Sequence, residues 1–237
     1  MEPIEGIPGY FWEDEFDISA LSYSQFLDFF FDRPILPDRK LHKLFLDATD
    51  RFLAAKPRVV AGHLQEMCRK FSELTKVYTP EQLDQGLWLI FGSGISCEQY
   101  LFDPTVDLEL RTECIQSMYF PFRDVVACST IGPRDSFYWM WWDMILHTFW
   151  QIYYSTNDNY QKLPADGKQM FDAMYQTLLK ILALDHRACQ ESALHGLGHL
   201  RHPLGRETVQ RYLDIHRTEL TDEDVRWVEA CRDGAIA

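Results

Sequence analysis

SFYWMWWDMILHTFWQIYYS, residues 136–155, is the stretch whose reading decides how this chain folds. Four of the seven tryptophans fall inside it, beside two phenylalanines and three tyrosines, so it must hide most of its surface. Three strongly polar residues interrupt it, Asp143, His147 and Gln151, each four after the last. On a helix that spacing puts all three on one narrow line, with Ser136 and Tyr154 close to it. The stretch therefore reads as a helix apolar over most of its girth with a single polar seam, the hub of a core. A membrane span of that composition would need about 20 apolar residues. Here Asp143 would sit near the middle at a cost of about 3 kcal/mol. No basic cluster flanks the stretch either, the nearest cations being Arg134 and Lys162, so the transmembrane reading fails.

Outward from that helix, 237 residues with 46% hydrophobic content are enough for a sizeable core, and the expectation is one domain over residues 1–237. The formal charge of −13 argues against nucleic acid and against an anionic membrane as partners, since both require a basic footprint. It favours a basic partner reached by electrostatic steering. Cys68, Cys97, Cys114, Cys128, Cys189 and Cys231 form no CxxC pair, which speaks against zinc ribbons and thioredoxin-like redox sites. The opening MEPIEGIPGY lacks the basic and apolar regions of a signal peptide. Reduced cysteines in a cytoplasm, with no cofactor, are the expectation.

Taken in order, residues 1–38 are acidic and aromatic, with a short helix over Ser22–Asp32 carrying Phe26, Phe29 and Phe30. This segment reads as an N-terminal arm that either wraps a partner or straps the core. Asp38 caps an expected helix to about Ala55, and Pro57 opens another to about Lys76, with Val60, Leu64, Met67, Phe71 and Leu74 on one face. Thr79-Pro80-Glu81-Gln82 is a capping box for a third helix ending at Gly92. GSGIS at 92–96 follows a helix and has no lysine, so it reads as a terminator and not as a phosphate loop. A helix starting at Asp103-Pro104, the aromatic helix capped by Asp135, and a helix from Pro164 to about 184 come next. No alternating β-branched run occurs. The fold class is all-α, about ten helices joined by short connections.

From Asp185 the composition changes: DHRACQESALHGLGHLRHP replaces bulky residues with alanine and glycine, so this helix can approach its neighbours closely. Two short helices follow, Glu207–Arg217 and one opened by the capping box Thr221–Asp224. The stretch CQESALHGLGHL, residues 189–200, resembles the second helix of a HEAT-type unit, and residues 164–237 resemble the helical hairpins of the HEAT and armadillo-type repeat families. The resemblance implies an α-α superhelix at the C-terminus, packed around the central aromatic helix, with a surface used for binding and usually without catalysis.

Two polar constellations carry the candidate site residues. His195, His199 and His202 are four and then three residues apart, beside Ser192, and i, i+4 histidines are a metal-ligand geometry. The acid of an HExxH motif is missing, because Gly196 follows His195. The second constellation is the seam, where Asp143 is placed to hydrogen-bond His147 one turn later and orient it. No GxSxG elbow supplies a nucleophile for such a pair.

The function expected is a non-enzymatic protein-binding module, in its specific form an inhibitor or immunity-type protein for a basic bacterial toxin. Asp143, His147, Gln151, Ser192, His195 and His199 are its candidate binding residues. The alternative is a metal-binding protein or metal-dependent enzyme using His195, His199 and His202. A small-ligand pocket anchored by Asp143 and His147 is the third reading.

Overall fold

A computed structural model describes residues 16–35, 52–92, 95–130, 136–156 and 159–236. The fold is all-α, as expected from the absence of alternating runs, and among the described residues the one strand pairing is two residues long. The chain divides into two compact units, Met1–Cys114 and Ile115–Ala237. Each is taken by itself.

In the first unit, β1 (Phe16–Asp17) pairs in parallel with β2 (Phe52–Leu53) in the register Phe16 to Phe52. The helix expected over Asp38–Ala55 therefore does not reach its proposed end, and its earlier part lies outside the described residues. Asp17 organises the junction. Its carboxylate accepts from the backbone N–H of Ser19 at 2.9 Å and of Ala55 at 3.2 Å. Helix α1 (Tyr23–Phe31) opens with a capping box of Ser22 and Gln25. It buries Phe26, Phe30 and Phe31, so the described part of the N-terminal segment contributes one face to the core. Helix α2 (Pro57–Arg69) breaks at Lys70, and α3 (Phe71–Leu74) completes the expected apolar face. Helix α4 (Pro80–Phe91) starts from the capping box of Thr79 and Gln82, and it packs on α1. The unit boundary falls within α5 (Leu108–Ser117), which begins later than Asp103 because Asp103 accepts from the N–H of Thr105 in a tight turn.

In the second unit, α6 (Tyr119–Asp124) precedes α7 (Phe137–Ile152), the aromatic helix. Its N-cap is Ser136; the proposed cap Asp135 lies outside the described residues. Trp141, Ile145 and Phe149 are fully buried, each contributing about 1.5–3 kcal/mol by removal from water. Helix α8 (Ala165–Leu182) follows Pro164, then α9 (Arg187–Leu200), α10 (Gly205–His216) and α11 (Asp222–Asp233), the last with the expected Thr221–Asp224 capping box. His186 is the N-cap of α9.

The centre of this unit is α9, not the aromatic helix. It packs against α7, α8, α10 and α11. The reason is its small residues: a methyl group at Gly196 would come within 2.8 Å of Trp142 Cβ, and one at Gly198 within 3.1 Å of Cys231 Cα. Bulky α7 supplies the surface, and α9 supplies the access to it. Among the described residues no helix is long and apolar enough to cross a membrane.

Candidate functional site

The seam of α7 and the last turn of α9 meet at a cleft of about 410 Å³. Asp143, His147 and Gln151 contribute from α7, His199 from α9, and Arg201 from the residue after it, with Trp150 and Tyr154 as aromatic walls. The spacing of four along α7 is what delivers three polar side chains to one opening.

The structure changes the partners expected within the seam. Asp143 does not hold His147. The His147 ring bonds Gln151, Nε2 to Nε2 at 2.8 Å, while the Asp143 carboxylate faces His199 across the helix pair, with Oδ1 3.6 Å from Nε2. That separation is beyond a hydrogen bond. Among the described residues Asp143 has no closer donor. An i, i+4 pair on one helix competes with whatever the neighbouring helix presents, and here α9 presents an imidazole.

The other candidates separate by depth. Ser192 is 1% exposed and donates to the Tyr138 carbonyl at 2.7 Å. His195 is 3% exposed; its Nδ1–H donates to the Trp139 carbonyl at 3.2 Å, and its ring stacks on Trp139 at 4.3 Å between centroids. These two bonds pin α9 to the first turn of α7. His199 lies between them and the cleft, with Nε2 3.2 Å from His195 Nε2. Since the His195 Nδ1 bonds a carbonyl it carries the proton, so in neutral His195 the Nε2 accepts and His199 Nε2–H donates. Burial pushes the His199 imidazole below its ordinary value; nearby Asp143 opposes this and Arg201 adds to it.

The three-histidine ligand set is not assembled. Helix α9 stops at Leu200 because Arg201 takes a left-handed conformation, φ +52 and ψ +38, and the chain turns away. His202 then faces α8, donating from Nε2 to Asp172 at 3.1 Å, accepting from the Leu204 N–H at Nδ1, and stacking on Tyr175 at 4.0 Å. Burial lowers its pKa, with Asp172 opposing. Among the described residues no group of three or more histidines, cysteines, aspartates and glutamates could hold a metal ion.

Sequence reasoning missed Arg201 and Trp150. Arg201 looks like a loop residue in LRHP, and only its left-handed backbone shows that it ends the helix. Also missed was a second cleft of about 220 Å³ between α9, α10 and α11. Its floor is a fork in which Arg187 reaches Glu191 at 2.6 Å and Asp224 at 2.7 Å, so its charges are already paired. No family model matches the chain, and no curated protein or solved structure was found to match it.

Proposed function

We propose that the chain is a non-catalytic binding module for a basic protein, built on HEAT-type helical hairpins, and that the cleft beside Asp143 holds a polar group of that partner. The observation that carries the reading is the open carboxylate: Asp143 lines a cleft with aromatic walls, and the nearest donor to it among the described residues, the His199 ring Nε2, is 3.6 Å away. An uncompensated acid beside Trp150 and Tyr154 suits a cationic side chain, which gains from both charge and ring faces. Tyr154 is 76% exposed at the rim and available for contact. Steering comes from elsewhere. Residues 1–114 hold 20 of the 36 acids and 11 of the 23 bases, a formal −9, which leaves −4 for 115–237.

A photo-crosslinking phenylalanine analogue at Tyr154, activated in cells of the source organism, tests this. The expected result is a crosslink to a basic protein that disappears in Asp143→Asn and weakens as salt rises through about 0.2 M. Crosslinking indifferent to Asp143→Asn refutes it. A second reading, a metal ion at His195 and His199, is supported by the 3.2 Å approach of their Nε2 atoms. Elemental analysis of untagged protein decides it: less than about a tenth of an equivalent of transition metal discards it.

A further inference from the structure

We infer that the cleft of α7 and α9 takes a group carrying charges of both signs, an ammonium or guanidinium together with a carboxylate, held between Asp143 and Arg201. This rests on the binding reading above and names the chemistry it would recognise. Two residues of opposite charge line the same cleft, and among the described residues neither is paired with an opposite charge within hydrogen-bond distance. Among the described residues Asp143 meets only His199, at 3.6 Å. Among the described residues the Arg201 guanidinium makes one hydrogen bond, from Nη2 to the Gly234 carbonyl at 3.1 Å, and no carboxylate lies within ion-pair distance of it. By contrast, Arg187 in the neighbouring cleft is saturated by two carboxylates.

The backbone adds a second, independent observation. Arg201 occupies the left-handed cap of α9 at φ +52. Glycine adopts that conformation without the steric cost a side chain carries, and it is the usual residue at such a cap. An arginine there costs free energy that its backbone position does not return, so the side chain is the reason for it. Part of that role is packing on Gly234, whose added Cβ would meet Arg201 Nε at 3.1 Å. Among the described residues the remaining guanidinium donors meet no carboxylate, a group they match bidentately. A cation alone would satisfy Asp143 and leave Arg201 repelling it; an anion alone would meet Asp143. A ligand with both signs satisfies both walls, and about 410 Å³ is room for one amino-acid-sized group.

Four probes test this on the full chain by NMR titration or calorimetry. N-acetyl-lysine carries a side-chain ammonium and a carboxylate, its methyl ester the ammonium only, and N-acetyl-norleucine the carboxylate only. Free lysine distinguishes a free amino acid from the C-terminal residue of a chain. The doubly charged probe is expected to bind at least about tenfold more tightly than either singly charged one. Asp143→Asn should reduce it to the level of the carboxylate-only probe, and Arg201→Gln to that of the ester. Free lysine binding more tightly than N-acetyl-lysine identifies a free amino acid as the source, and the reverse a chain end; either supports the inference. Equal binding of all probes, binding unmoved by the two variants, or no binding of the doubly charged probe at about 10 mM overturns it. An Asp143-dependent crosslink at Tyr154 together with any of these results leaves the binding module standing and removes only the two-signed ligand.

Discussion

Gly196→Ala tests the packing on which the cleft depends. The added Cβ would lie 2.7 Å from Leu178 Cδ2, 2.8 Å from Trp142 Cβ and 2.9 Å from Trp142 Cγ, where ordinary contact begins at 3.4 Å. Leu178 can yield a little, because the contact is at the end of its side chain. Trp142 cannot, because its Cβ is fixed to the backbone of α7 and the ring is fully buried. The helices must therefore part by about 0.5 Å or more, an overpacking cost of about 1–3 kcal/mol. Alanine returns up to about 1 kcal/mol of helix propensity. Parting also lengthens the bonds of Ser192 and His195 to the Tyr138 and Trp139 carbonyls on the same face, each worth about 1 kcal/mol. The net expectation is a loss of about 2 kcal/mol, a fall in Tm of about 4–8 °C for a chain of this size. Thermal melts followed by far-UV and near-UV circular dichroism measure it. Gly62→Ala in α2 is the control, since nothing lies within 4 Å of its added Cβ, and it should be neutral or stabilising by up to about 1 kcal/mol. If Gly196→Ala melts no lower than Gly62→Ala, α9 does not sit against Trp142 as described and the reasoning fails.

Three further outcomes are expected. Because burial holds the His202 and His199 pKa values below 6.5, the unfolded chain binds more protons at mildly acidic pH. Stability is then complete above about pH 6.5 and is lost as pH falls through the lowered values, with a slope of at most about 1.4 kcal/mol per pH unit for each group. His202→Asn, which retains an acceptor for the Leu204 N–H, should flatten that slope in denaturant titrations run across pH. Thr221→Ala removes the side chain that accepts from the Asp224 N–H at 3.2 Å, and should cost about 1 kcal/mol by chemical denaturation. It should also raise the Asp224 pKa towards the ordinary range, because the Thr221 hydroxyl is the main group holding it down. Finally, Cys128 is exposed while Cys68, Cys97, Cys114, Cys189 and Cys231 are buried. A thiol reagent should therefore titrate one cysteine quickly in the native protein, none in Cys128→Ser, and the rest only on unfolding.

What could be read from the sequence were the local rules. The capping boxes at Thr79–Gln82 and Thr221–Asp224 appear where the residues place them, because such a box is closed within four residues. The small-residue character of 189–200 correctly announces close packing, since glycine states its own clearance. The seam of Asp143, His147 and Gln151 does open on one line. The partners were not legible. Asp143 could have paired along its own helix with His147, and nothing local says that α9 would bring His199 to it instead. The three histidines have helical spacing, yet the line is broken by one dihedral at Arg201. Phe52 carries a helical pattern with residues before it, and it pairs with Phe16 across a gap in sequence that no periodicity reports.

The state of Asp143 depends on a residue that does not line the cleft. His195 gives its Nδ1 proton to the Trp139 carbonyl, so its Nε2 is left as an acceptor and claims the His199 Nε2–H at 3.2 Å. That claim points the nearest donor among the described residues away from Asp143, and the carboxylate stays open at 3.6 Å. His195→Phe preserves a ring to stack on Trp139 and removes the acceptor. The His199 Nε2–H is then expected to turn to Asp143, forming a charge-assisted bond that favours the protonated imidazole. The measurable outcome is a His199 pKa that rises from its lowered value towards or above 6.5, read from the ring proton in a pH titration by NMR, with weaker binding of N-acetyl-lysine at neutral pH. An unchanged His199 pKa in a variant that keeps its native melting behaviour would show that His195 does not govern the cleft. The openness of Asp143 would then have to be assigned to the spacing of α7 and α9 alone.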